Sequence, residues 1–172
     1  MSRTTAMVFI DGQNLFHGSR SYSEENSVDD YEVGLPVLAR RLTHDHDLIR
    51  SYYFDSFRPG KREDKQGFYK FLELNGFRVE ANPLRERDGS YVEKGADISL
   101  ATELIAHGFN DSYDVAAVVT GDDDFSRAIR YVQNQGKYVK VASFDSNFSS
   151  NLKQTADSAI VLDEVADKIS RD

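Results

Sequence analysis

The chain has 172 residues and no cysteine, with 40% hydrophobic and 29% charged residues. These are globular proportions, and they exclude a disordered chain, a disulfide scaffold and thiolate metal sites. Its 21 basic and 29 acidic residues leave a formal charge of −8, so it is not a purely electrostatic nucleic-acid binder, which would be basic overall.

The first apolar run, Ala6–Ile10, ends at Asp11. It is too short for the ~7–15-residue core of a signal peptide or the ~20 residues of a membrane helix. A cytoplasmic protein with no membrane partner is expected, forming one domain over 1–172, because domains usually run to ~100–200 residues. Further strand-like runs follow at Leu48–Phe54, Phe77–Glu80, Asp114–Thr120, Tyr138–Phe144 and Ala159–Leu162. Val115–Val119 has no polar position, as in a parallel strand covered on both faces. Ser19–Tyr31 is polar and reads as a surface loop or short irregular helix, and Gly34–Asp47 as a weak helix with Pro36 in its first turn. Phe68, Phe71 and Leu72 form a helical stripe closed by Asn75-Gly76. Arg85–Glu93 centres on Asp88-Gly89, a tight hairpin turn. Ile98, Ala101, Leu104 and Ile105 form another helical stripe, and Phe125, Ala128, Ile129 and Val132 a third. Such alternation predicts an α/β fold of three layers with right-handed crossovers.

In such folds ligands bind at the carboxyl ends of the strands. Asp11-Gly-Gln-Asn14 follows the first strand, and Thr120-Gly-Asp122-Asp-Asp124 follows Val115–Val119. Lys94-Gly-Ala-Asp97 opens the helix before that strand. Asp is also a favoured helix cap, so each acid has a structural reading of its own. Asp123 is assigned to capping or solvent. Gathered carboxylates repel unless a cation is present, and oxygen-only sites suit Mg²⁺ or Mn²⁺. Such an ion can orient a phosphodiester and activate water. That chemistry places Asp11, Asp97, Asp122 and Asp124 around one phosphate, with Asn14 and Thr120 beside them.

Arg58, Lys61, Arg62 and Lys65 follow the second strand, and Lys94 precedes Asp97. They are candidate contacts for the phosphates of a polyanion, or else a solvated loop. Tyr52, Tyr53, Phe54 and Phe57 could stack bases, but core packing is their commoner use. No Walker A loop, GxGxxG or Gly-x-Ser-x-Gly occurs, and His44 and His46 do not share a helix face.

Ile10-Asp11-Gly-Gln-Asn14, Lys94-Gly-Ala-Asp97 and Thr120-Gly-Asp122-Asp-Asp124-Phe125 together resemble the NYN family of PIN-like nuclease domains, most closely its bacterial LabA-like branch. The resemblance runs from about Met7 to Leu162. It implies a PIN-like α/β/α sandwich with a central, mainly parallel sheet. It further implies an Mg²⁺- or Mn²⁺-dependent ribonuclease acting on RNA or another single-stranded nucleic acid. Asp11, Asp97 and Asp122 would hold the metal, Asp124 would complete the site, and Asn14 and Thr120 would position water or phosphate. Asp123 departs from the family, which often has Ser there. PIN-like domains often pair, so the resemblance allows a homodimer. The alternative reading is a regulatory module of the same fold that binds RNA or a protein partner with little or no catalysis.

Overall fold

The computed structural model describes residues 3–92 and 95–171. The chain opens with strand β1 (Thr5–Asp11), followed by helices α1 (Gly12–Glu25) and α2 (Leu35–Leu42). Strand β2 (Asp47–Phe57), helix α3 (Gln66–Leu74) and strand β3 (Phe77–Pro83) come next. A small antiparallel hairpin, β4 (Arg85–Arg87) and β5 (Ser90–Val92), turns at Asp88 and Gly89, which both have positive φ. Paired positive φ values are what a two-residue hairpin turn requires. Then follow α4 (Gly95–Phe109), β6 (Val115–Val119), α5 (Ser126–Gln133), β7 (Tyr138–Ser143), α6 (Ser150–Thr155) and β8 (Ser158–Val161).

Six strands form one sheet in the order β3-β2-β1-β6-β7-β8, and every neighbouring pair is parallel. The apolar runs of β1 and β6 explain their central places. Val115–Val119 is buried throughout, as are Ala6–Asp11. One face of the sheet packs Phe9, Tyr52 and Val118 against Leu100 and Leu104 of α4, Ile129 of α5 and Leu152 of α6. The other packs Val8, Ile10 and Val119 against Leu15 of α1, Leu38 of α2 and Leu72 of α3. The result is the expected three-layer α/β/α sandwich, mainly parallel.

From β1 the chain builds outward through β2 and β3, then returns to the other side of β1 for β6, β7 and β8. The direction of winding therefore reverses between β1 and β6. Diverging connections open a crevice beyond the carboxyl ends at such a point.

Two expectations are corrected. Ser19–Tyr31 is not a loop at its start, because α1 continues unbroken through Glu25. Its inward stripe is Leu15, Gly18, Ser19 and Tyr22, whose small members escape a search for apolar residues. The weak helix over Gly34–Asp47 ends at Leu42, and Asp47 already belongs to β2. Among the described residues no helix is long and apolar enough to cross a membrane.

Candidate active site

Asp11 closes β1 at the reversal point and is buried. Its carboxylate caps α1, with Oδ1 accepting the Asn14 backbone N–H at 3.3 Å. Oδ2 accepts the Thr120 hydroxyl at 3.0 Å, joining the ends of β1 and β6. Thr120 is fully buried, and its Oγ1 also accepts the Asp122 backbone N–H at 3.2 Å. Asp122 Oδ1 in turn accepts the Asp124 N–H at 2.9 Å, capping the single 3-10 turn Asp123–Phe125. Capping and functional placement thus coincide for Asp11 and Asp122, since one oxygen caps while the carboxylate stays at the crevice.

Asn14 is held in the loop network of the site. Its Oδ1 accepts the Gly121 N–H at 2.9 Å, and its carbonyl accepts Asn147 Nδ2 at 2.9 Å. Ser149 N–H donates to the Gly121 carbonyl at 2.9 Å. The side chain of Asn14 therefore ties the loop after β6 to the start of α1 and holds the Asp122 segment in place. Gly121 is fixed by this packing, because a Cβ there would overlap the Asn147 carbonyl.

Asp97 enters from the first turn of α4, on the other side of the crevice. Its carboxyl is pushed up to about 6, first by burial and then by the negative charges of Asp122 and Asp124. Asp97, Asp122 and Asp124 are thus electrostatic neighbours, although they come from two separate elements. Asp123 turns away, accepting Asn151 Nδ2 at 2.7 Å and Ser126 Oγ at 2.8 Å, which hold its carboxyl below the usual range. It caps no helix, since Asp122 takes that place; it is exposed, and its bonds go to side chains.

The donor set is oxygen only and strongly anionic, which suits a hard divalent cation. Among the described residues no group of three or more Asp, Glu or His side chains is gathered into a metal-holding arrangement. By donor chemistry and charge, Asp11, Asp97, Asp122 and Asp124 are the residues that would hold such an ion.

The basic run divides. Arg58 lies over the Tyr91 ring at 5.7 Å, and Arg62 over Phe57 and Tyr69 at 5.5 and 5.8 Å. Lys61 is exposed beside them. Lys65 does not join this surface, because its amine donates to buried Asp55 at 2.9 Å and to the Ser56 carbonyl at 3.0 Å. Lys94 lies outside the described residues. Tyr52, Tyr53 and Phe54 belong to the core, as the commoner reading held.

Sequence reasoning left Asp55 and Asn147 out of the site. Asp55 is the one acid in the buried run Ser51–Ser56 and accepts Gln13 Nε2, Lys65 Nζ and the Tyr69 hydroxyl. A lone carboxylate interrupting an apolar strand was its signal. Asn147 carried none, because its partners lie far away in the chain.

This geometry, with acids at the reversal point of a parallel α/β sheet, places the chain in a recognisable class. A family model, NYN domain, matches residues 5–163, and the chain belongs to that family. Among curated proteins it is similar to the low amplitude and bright protein LabA of Synechococcus elongatus. The two are 24% identical over 173 residues, covering 95% of this chain and 87% of that protein. An uncharacterized protein of Methanocaldococcus jannaschii, MJ0482, is 37% identical over 68 residues, covering 40% of this chain and 28% of that protein. The crystal structure of a Vibrio parahaemolyticus protein of unknown function, VPA0982, shares the fold, with a TM-score of 0.76 at 21% identity. That match covers 98% of this chain and 96% of the other.

Proposed function

We propose that this NYN protein is a divalent-metal-dependent ribonuclease. The observation that supports this best is the nearness of Asp97 to Asp122 and Asp124 across the crevice from α4 to the loop after β6, where burial first and then their charges raise the Asp97 carboxyl to about 6. Capping accounts for Asp11 and Asp122 but gives no reason to bring Asp97 against Asp122 and Asp124, whereas a bound Mg²⁺ or Mn²⁺ does. In this reading Asp97, Asp122, Asp124 and Asp11 hold the ion. When bound, it supplies charge neutralisation at a phosphodiester and lowers the pKa of an attacking water. Thr120 keeps Asp11 oriented through its hydroxyl. Asn14 acts through Gly121, holding the Asp122–Asp124 segment at the distance set by its hydrogen bond. Arg58, Lys61 and Arg62 contact phosphates away from the reacting one.

A second reading, a regulatory module binding RNA or a protein partner without cutting it, draws support from two observations. One is the absence of a gathered trio of carboxylates among the described residues, and the other is the charge of −8. One experiment separates the two readings. Purified protein and Asp97→Asn are incubated with labelled single-stranded RNA in Mn²⁺, Mg²⁺ or EDTA. The nuclease reading expects cleavage by the native chain only, abolished by EDTA. RNA binding without cleavage under any ion selects the regulatory module. Equal cleavage by both proteins overturns the assignment of Asp97.

A further inference from the structure

A groove of about 920 Å³ opens on the face of the sheet covered by α1, α2 and α3. It lies within the ~300–1,000 Å³ range of small-ligand sites. Its inner end belongs to the carboxylate edge, because Gly12 and Gln13, which line it, directly follow Asp11. Its walls carry exposed rings, with Phe16 at 52% and Phe68 at 39% of full exposure.

The floor is polar. Gln13, Asp55 and Lys65 line it as one bonded set, anchored below by the Tyr69 hydroxyl. Tyr53 also lines it and is 93% buried, counting from its 7% exposure, yet its hydroxyl makes no hydrogen bond to a described residue. A phenol hydroxyl is both donor and acceptor, so it can meet either kind of group on a ligand.

Apart from Asp30, which adds one negative charge to the lining, the charges in the groove fall in pairs. Arg20 pairs with Glu24, Arg171 with Glu32 and Lys65 with Asp55, and all six residues line the groove. A phosphate would find no unpaired cation among them. An aliphatic side chain from a protein partner would cover the Tyr53 hydroxyl and the Gln13 amide without satisfying them, which is costly. A neutral, flat, aromatic ring with hydrogen-bonding edges meets both conditions. It stacks on a phenyl face and presents donors and acceptors to the floor.

We propose that this groove is a base-accepting site, which receives an unpaired nucleobase of the strand whose backbone passes the Asp11 carboxylate edge. Gln13 and Tyr53 read the edge of that base, and Phe16 or Phe68 stacks on its face. The inference rests on the nucleic-acid reading above, but not on catalysis. It restricts the ligand to single strands, because a paired base cannot leave its stack to enter.

The test is fluorescence anisotropy in EDTA, where nothing can be cut. The probes are a labelled 12-nucleotide single-stranded RNA, the same strand with abasic positions, and its duplex. They are titrated with the native chain and with Phe16→Ser and Phe68→Ser, both at exposed positions and checked by circular dichroism. The expected result is that the single strand binds at least tenfold more tightly than the abasic strand or the duplex. Each variant should weaken single-strand binding by roughly 5- to 100-fold while leaving abasic binding alone. Equal binding of all three probes, unchanged in the variants, overturns the groove assignment and leaves the RNA reading standing. Absence of RNA binding altogether overturns both. Saturation by free adenosine or uridine, lost in the variants, with no RNA binding, assigns the groove to a small nucleoside and overturns the strand. A change of sedimentation coefficient in Phe16→Ser or Phe68→Ser, with RNA affinity intact, makes the face an interface between copies and overturns the proposal.

Discussion

Asp97 shows how one residue carries a conflict between folding and use. A carboxyl raised from its ordinary value to about 6 binds its proton more tightly in the fold than in the unfolded chain. Folding therefore loses stability as pH rises from about 4 to about 6, where unfolded Asp97 has ionised and folded Asp97 is being forced to do so. Asp97→Asn removes that loss. Without divalent ions the variant is expected to be more stable than the native chain at pH 7, by on the order of 1–2 kcal/mol. The advantage should shrink towards zero at pH 4. Urea unfolding followed by circular dichroism at both pH values checks this, and a variant less stable at pH 7 would give Asp97 a structural role. Asp123, next to Asp122 in the chain, shows the opposite state. Its carboxyl is held below the usual range by side-chain hydrogen bonds from Asn151 and Ser126.

Among the elements, α1 and the loop after β6 are the least self-sufficient. Hydropathy alone hides the inner half of α1, because Gly18 and Ser19 supply contact through lack of bulk. A Cβ on Gly18 would come within 3.0 Å of Phe144 Cβ and Asn147 Oδ1. The strands were legible because their apolar runs have no polar face. The stripe at Phe125, Ala128, Ile129 and Val132 was legible because all four are buried, whereas in α4 the buried face turns to Ala96, Leu100 and Leu104 and leaves the expected Ile98 exposed. The Asn14–Gly121–Asn147 clasp was not legible, since each hydrogen bond spans more than 100 residues. Gly121→Ala tests the clasp. The added methyl would enter the Asn147 carbonyl, so the loop must move or the fold must strain, at a cost of roughly 2–3 kcal/mol. Thermal unfolding should report that loss. An alanine variant as stable as the native chain would mean that the loop yields freely.

For the molecule as a whole, the charge of −8 and the local patch at Arg58, Lys61 and Arg62 act at different ranges. Salt screens the net charge within about 10 Å, so only groups at the surface of contact set the salt dependence of binding. Reversal of the three residues to Glu is expected to weaken RNA binding and to flatten the slope of log affinity against log salt by roughly 2, from three lost contacts on a single strand. A slope equal to that of the native chain removes the patch from the interface. Lys65 is left out of this variant because its amine supports buried Asp55. The sequence could not distinguish it from its neighbours, because its partner is set by how the chain turns after β2. Order along the chain did place the acids correctly at one edge, because parallel strands put all their carboxyl ends on the same side.

The bond between Thr120 and Asp11 spans 109 positions, and the one between Asn147 and Asn14 spans 133. During synthesis the amino-terminal half emerges with Asp11 and Asn14 in place but without the strand that orients them. Asp97 follows, still without Asp122 and Asp124. The crevice comes into being only when β6 inserts beside β1 and the segment carrying Asn147 closes behind it. A chain still on the ribosome therefore holds every early part of the crevice without the crevice, until the residues through Asn147 have emerged to close it.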